Sequence, residues 1–187
     1  MEKIKVIALL GEAGSGKDTL LQLLLSLSES NKFNEIISCT TRPKREGEVD
    51  GINYHFLTDQ EFMEEVKNHQ MLEWTQFNGW YYGTATLSLD FNKPNIGVFN
   101  PAGIRSLIAN PNIETLPIYV RVPAKERLIR QLNRENNPNI NEIIRRYQTD
   151  LQDFQHLEFY HEMIDNSKSI SEAVIDLEDK IDQFIKR

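Results

Sequence analysis

The sequence predicts an α/β protein, a parallel sheet covered by helices on both faces, and three observations carry that reading. Short apolar runs alternate with segments of helical period, the pattern of strands that are buried and crossed over by helices. A glycine-rich turn joins the first apolar run to the first helical segment. One stretch, Tyr54–Ala85, breaks the alternation with closely spaced strand signals and reads as an inserted small β-rich lobe.

Taken in order, Ile4–Leu10 is an apolar run ended by glycine, as expected of a strand buried on both faces. Lys17–Leu27 is leucine-rich at helical spacing, and a second strand is expected at about Glu35–Cys39. A charged loop containing proline and glycine follows, from Thr40 to Gly51. Tyr54–Leu57 reads as a strand, and Thr58 with Glu61 forms a capping box that opens a helix to about Asn68. Met71–Gln76 and Trp80–Ala85 read as two strands around an Asn78-Gly79 turn. The buried pattern then returns with a strand at Ile96–Asn100, a helix from Pro101, a strand at Thr115–Val122 and a helix from Pro123. A polar break at Asn136–Asn139 precedes a helix from about Ile140 to Phe154, a second and helical excursion. The last strand is expected at about Glu162–Asp165, before a helix opened by a capping box from Ser169 to Glu172.

Length and charge narrow the function. A chain of 187 residues is expected to be one domain, or one domain carrying inserts. Its 21 basic and 28 acidic residues leave a net charge of −7, which argues against wholesale DNA or RNA binding, since that needs a basic face. Cys39 is the only cysteine, so an intramolecular disulfide is impossible and an intracellular, cytoplasmic protein is expected. The longest apolar stretches, Val6–Leu10 and Leu20–Leu25, are far short of a membrane span, and no cleavage site follows the first, so no signal peptide is expected. The four histidines are scattered and form no metal pattern.

The turn after the first strand runs Gly11-Glu12-Ala13-Gly14-Ser15-Gly16-Lys17-Asp18-Thr19. It fits GxxxxGK between strand and helix, the loop whose backbone N–H groups wrap nucleotide phosphates while the lysine places a point charge on them. The Ser/Thr that follows the lysine in that motif is Asp18 here. A carboxylate can hold Mg²⁺ directly or through water, and Thr19 can bond a phosphate.

The stretch Ser38-Cys39-Thr40-Thr41-Arg42-Pro43-Lys44-Arg45-Glu46-Gly47-Glu48, continuing to Tyr54, resembles the guanylate kinase family. Leu72-Glu73-Trp74 and Tyr81-Tyr82-Gly83-Thr84 match the family's next two blocks in order and spacing. The resemblance covers essentially the whole chain and is strongest over Val6–Gly83. It implies a P-loop parallel sheet with a core at about 1–37, 86–128 and 155–187, a nucleotide-monophosphate lobe at about 38–85 and a helical lid at about 129–154. It implies transfer of a phosphoryl group from ATP, with Mg²⁺, to GMP or dGMP. Small nucleotides would be the partners, with no nucleic acid or membrane, and protein partners are left unassigned. Arg42, Arg45 and the hydroxyls of Tyr54 and Tyr82 would hold the acceptor phosphate, guanidinium forks suiting its oxygens. Glu73 would accept both N1–H and N2–H of guanine, with hydroxyl help from Ser38 and Thr84. Asn166 matches the asparagine that touches adenine. The arginine-dense segment holding Arg127, Arg130, Arg134, Arg145 and Arg146 would neutralise the transferring group, so that Lys17, Arg42, Arg134 and Arg146 form the catalytic set. Arg127 and one or two others would instead pair with Glu126 and Glu142 on the helical surface.

The chain departs from the family pattern in two further stretches. Val98 and Asn100 stand where the family carries two aspartates, the second of which helps bind guanine N2. Gln131 and Glu135 stand at strict positions of the lid arginine. These departures leave two alternatives, a kinase for another acceptor (a different nucleoside monophosphate or ribose 1,5-bisphosphate) and a non-catalytic binding module of the same fold. The retained Lys17 favours the enzyme.

Overall fold

The structure, a computed structural model, describes residues 3–45, 47–77, 79–134, 136–160 and 162–186, with Phe77 described by its backbone alone. Nine strands and six helices follow one another as β1 (Ile4–Leu10), α1 (Lys17–Leu27), β2 (Asn34–Glu35), β3 (Cys39–Thr40), β4 (His55–Phe56), α2 (Asp59–Lys67), β5 (Met71–Phe77), β6 (Trp80–Ala85), β7 (Asn95–Val98), α3 (Pro101–Ala109), β8 (Ile113–Arg121), α4 (Ala124–Leu132), α5 (Ile140–Asp153), β9 (Glu162–Asp165) and α6 (Ile170–Ile185) among the described residues. A five-stranded sheet has the order β2-β7-β1-β8-β9, and a four-stranded sheet has the order β4-β3-β6-β5. In the larger sheet β2 pairs parallel with β7 and β8 parallel with β9, as the alternation of strands and helices requires. Val6 to Leu10 of β1 have no exposure at all, which explains why those five positions are apolar without alternation.

The chain packs as two compact units, one formed by residues 1–6 and 31–115, the other by residues 7–30 and 116–187. The second unit carries the P-loop, α1, α4, α5, β9 and α6. In it α6 buries Ala173, Val174, Leu177, Ile181 and Phe184 along one stripe, and α1 turns Leu20, Leu21 and Leu24 inward. The first unit carries the four-stranded sheet, in which β5 and β3 both run antiparallel to β6. Phe62 of α2 is fully buried and stacks on Tyr81, ring centroids 5.4 Å apart, and this fixes α2 on the sheet. Asn95 of β7 is a fully buried polar residue whose amide is satisfied by Asn34, Asp90, Lys93 and the Lys5 carbonyl, tying β2 and the preceding loop together.

Several expectations are corrected. The strand expected at Glu35–Cys39 is two strands in two sheets. Ile36 N–H still bonds the Ile96 carbonyl, after which the chain crosses, and Cys39 pairs with Gly83 and His55. The strand expected to reach Asn100 ends at Val98, because Asn100 is the N-cap of α3 and its side chain accepts from Gly103 N–H at 2.7 Å. The strand at Tyr54–Leu57 shortens to His55–Phe56. The Thr58–Glu61 capping box is present in both directions, whereas Ser169 caps α6 by accepting from Ser171 N–H and not through Glu172. Asn78 of the expected turn and Glu135 lie outside the described residues. Among the described residues no helix is long and apolar enough to cross a membrane.

Candidate active site

The residues expected at the site fall into two groups, one in each unit. In the second unit the loop from Gly11 to Thr19 links β1 to α1. Gly14 and Gly16 both have positive φ, 82° and 77°. A Cβ at Gly14 would lie 2.5 Å from the Arg127 carbonyl oxygen, and one at Gly16 2.8 Å from Asn166 Nδ2, so glycine is required on both grounds. Lys17, 19% exposed, opens α1, with Asp18 beside it at 3.9 Å and 76% exposed. Thr19 is exposed and Ser15 fully buried. The Asn166 amide is buried and donates to the Ser15 carbonyl at 2.8 Å, so its Nδ2 braces the loop, and Arg130 caps the Asn166 carbonyl at 2.8 Å.

The first half of the loop is held by charge. Glu12 accepts from the Tyr119 hydroxyl at 2.7 Å and pairs with Arg127 at 3.3 Å. Asp150 Oδ2, from α5, accepts from Ala13 N–H at 2.8 Å and lies 3.7 Å from Arg127 Nη1. Gln131 Nε2 reaches the Ala13 carbonyl at 3.4 Å. Burial raises the Asp150 carboxyl above its usual value, against the Ala13 N–H and the Lys17 and Arg127 charges that lower it. Burial and the bond to Glu12 likewise raise the Tyr119 hydroxyl. Arg127 is 5% exposed, which corrects the expectation of a solvated arginine paired with Glu126; Arg130 takes Glu126 instead, at 2.6 Å. Arg145 and Arg146 both pair with Glu142, at 2.7 and 2.8 Å, and the Arg145 bond leads the causes that hold that carboxyl down at about 2. Arg134 is exposed.

In the first unit Glu73 is 8% exposed and Thr84 fully buried, and the Thr84 hydroxyl donates to Glu73 Oε1 at 2.7 Å. Burial raises the Glu73 carboxyl, the Thr84 bond opposing. A Cβ at Gly103 would meet Glu73 Oε2 at 2.9 Å, so the first turn of α3 closes on that oxygen, and Asn100 Oδ1, which bonds Gly103 N–H, lies at the same place. Ser38 is half-buried, and its carbonyl accepts from His55 N–H. Arg42, 5% exposed, forks onto Glu48 at 2.8 and 2.9 Å, donates to the Pro43 carbonyl at 2.6 Å and lies over the rings of Tyr54 and Phe56. Burial works to lower Arg42, and the Glu48 bond and charge outweigh it, so the guanidinium is raised while Glu48 is lowered. Arg45 gives its backbone N–H to Glu48, and the half-buried rings of Tyr54 and Tyr82 meet edge to face at 6.3 Å. Among the described residues no three His, Cys, Asp or Glu side chains group as a metal cage.

A family model described as guanylate kinase matches residues 3–184. The chain belongs to the guanylate kinase family. It is 34% identical over 166 residues to the guanylate kinase of Mycoplasmoides gallisepticum, covering 86% of this chain and 84% of that one. It is 34% identical over 148 residues to the guanylate kinase of Schizosaccharomyces pombe, covering 77% and 72%. The crystal structure of guanylate kinase from Anaplasma phagocytophilum superposes with a TM-score of 0.68 at 22% identity, over 97% of this chain and 87% of that one, and has the same fold. As a guanylate kinase family member, the chain is a nucleoside monophosphate kinase.

Reading the sequence as a guanylate kinase missed the Glu12, Tyr119, Arg127 and Asp150 cluster and the Glu48 partner of Arg42. Glu48 carried a signal, because it belongs to the quoted motif and stands six residues from an arginine that cannot be buried unpaired. The cluster carried none, its members being spread over four elements.

Proposed function

We propose that the chain transfers the terminal phosphoryl group of ATP to GMP or dGMP, yielding ADP and GDP or dGDP. The observation that carries the guanine assignment is the buried Glu73 carboxylate. Guanine offers N1–H and N2–H side by side to one carboxylate, with the Thr84 hydroxyl holding Oε1 in place. Adenine would turn its N1, an acceptor, toward the same oxygens and be repelled. Ser38 and Asn100 add polar contacts to the base in this reading. Arg45, Tyr54 and Tyr82 take the acceptor phosphate together with Arg42, which Glu48 fixes against Tyr54 so that its charge is delivered without reorganisation.

On the donor side the N–H groups of residues 11–19 cradle the phosphates and Lys17 offsets their charge. Asn166, bound to Ser15, keeps the loop in shape next to adenine. Arg134 and Arg146 neutralise the group in transfer, and no covalent chemistry is asked of the protein. Magnesium fits the donor set. Asp18 is a single exposed carboxylate beside Lys17, and Mg²⁺ is an ion held mostly by phosphates and water with one or two carboxylates. When bound with ATP it would supply charge neutralisation at the phosphates. Residues of about 38–85 serve as the acceptor lobe and of about 129–154 as the lid of a single guanylate-kinase-like domain. The cytoplasm is the compartment this reading assigns, consistent with the lone, buried Cys39.

The test is a panel of acceptors incubated with ATP and Mg²⁺ and scored for ADP. GMP and dGMP should lead, and preference for AMP, CMP, UMP or ribose 1,5-bisphosphate would replace the acceptor assignment. The loss of acids at Val98 and Asn100 is the observation that makes those alternatives worth including.

A further inference from the structure

We infer that Asp150 is an internal competitor of ATP: its carboxylate holds a P-loop donor that the incoming phosphates also seek, and so sets the affinity for the donor nucleotide. The inference rests on the donor reading above. Oδ2 of Asp150 accepts from Ala13 N–H at 2.8 Å, an amide inside the glycine-rich loop that forms the anion cradle. The Arg127 guanidinium approaches the same oxygen, Nη1 to Oδ2 3.7 Å, and this buried Nη1 makes no hydrogen bond. Lys17 is close enough for its charge to act on the same carboxylate. A backbone donor and one cation thus meet at one oxygen, and the charge of a second cation acts on the same carboxylate. That is the arrangement of an oxyanion site, filled by a side chain of the protein itself.

Charge points the same way. Glu12 and Asp150 share the one guanidinium of Arg127, with side chains only 13%, 17% and 6% exposed, where salt screens little. Phosphates entering the loop therefore meet an anion that must be displaced or tolerated, and the apparent affinity falls by the fraction of molecules in which the donor is taken. Removing the Asp150 charge leaves Glu12 and Arg127 as a neutral pair at 3.3 Å, so the loop keeps its anchor, while Ala13 N–H and Arg127 Nη1 become available to phosphate. Damage to the loop would weaken ATP binding. Competition predicts the opposite sign.

The experiment is calorimetric titration of the full chain with ATP and Mg²⁺, without acceptor, for wild type, Asp150→Ala and Asp150→Asn. The Kd for ATP should fall by about tenfold in Asp150→Ala, the lower range for a charged hydrogen bond. It should fall less in Asp150→Asn, whose amide oxygen still accepts from Ala13 but carries no charge. Asp150→Asn also guards against a variant that fails to fold. Unchanged or weaker ATP binding in a variant with wild-type circular dichroism overturns the inference. A wild-type chain that binds no ATP removes the donor reading itself, and this inference with it.

Discussion

The Thr84 hydroxyl donates to Glu73 Oε1 at 2.7 Å, joining a carboxylate that is 8% exposed to a threonine with no exposure. One hydroxyl does not replace the water a carboxylate loses on burial, and the Glu73 carboxyl is accordingly raised. The residue assigned to guanine thus costs stability when no base is bound.

That cost has a defined pH dependence. An acid raised in the folded state binds more protons folded than unfolded, so its penalty is full above the folded value and disappears below the ordinary value of 4.5. Glu73→Gln should therefore have a higher Tm than wild type at pH 7 to 8, with the gap closing as pH falls toward 4.5. Thermal unfolding across that range checks it, and a lower Tm at neutral pH would contradict it.

Asn100 combines an N-cap with a place beside Glu73. Asn100→Asp keeps the bond from Gly103 N–H and gains charge at the start of α3, against repulsion from the Glu73 carboxylate, so its Tm should stay above that of Asn100→Ala. Asn100→Ala loses the cap, worth about 1 kcal/mol, and should lower Tm by about 2–4 °C for a domain of this size. Equal Tm in the two variants would show that the cap contributes nothing.

Arg127 lies between two carboxylates, 3.3 Å from Glu12 and 3.7 Å from Asp150. Removing one partner from a buried charge network costs about 3–5 kcal/mol. Arg127→Met should lower Tm by roughly 10 °C, far more than Arg134→Met at an exposed position. Similar Tm values for the two would place the Arg127 cluster outside the fold's energetics.

Lys17 opens α1 with its side chain 19% exposed and the solvated Asp18 carboxylate 3.9 Å away. Lys17→Ala should leave circular dichroism unchanged and lower turnover by orders of magnitude, because it removes charge needed on the donor phosphates. Near-normal turnover in the folded variant would contradict the P-loop mechanism.

The sequence was legible where a local rule decides. The Gly11–Lys17 loop, the Thr58 capping box, the Trp80–Ala85 strand and the family blocks around Glu73 and Tyr82 were all readable from residue type and spacing. It was illegible where distant residues meet. Nothing in the helical pattern near Arg127 marks it as buried, because its burial depends on Glu12 and Asp150, 115 residues before it and 23 after it. The split of Glu35–Cys39 into two strands escaped for the same reason, since an apolar run does not say which sheet it joins. Asn100 was read as a base contact by position, and its cap role follows from the Pro101-Ala102-Gly103 turn that comes after it.

The central claim is that Glu73 selects guanine, and the most direct measurement is kcat/KM for GMP against AMP, CMP, UMP and ribose 1,5-bisphosphate in wild type and Glu73→Gln. Exchanging a charged for a neutral acceptor typically costs about 1–2 kcal/mol, so GMP use should fall roughly tenfold while the poor acceptors change little. A wild type that prefers another acceptor, or a Glu73→Gln protein with undiminished preference for GMP, would contradict the account.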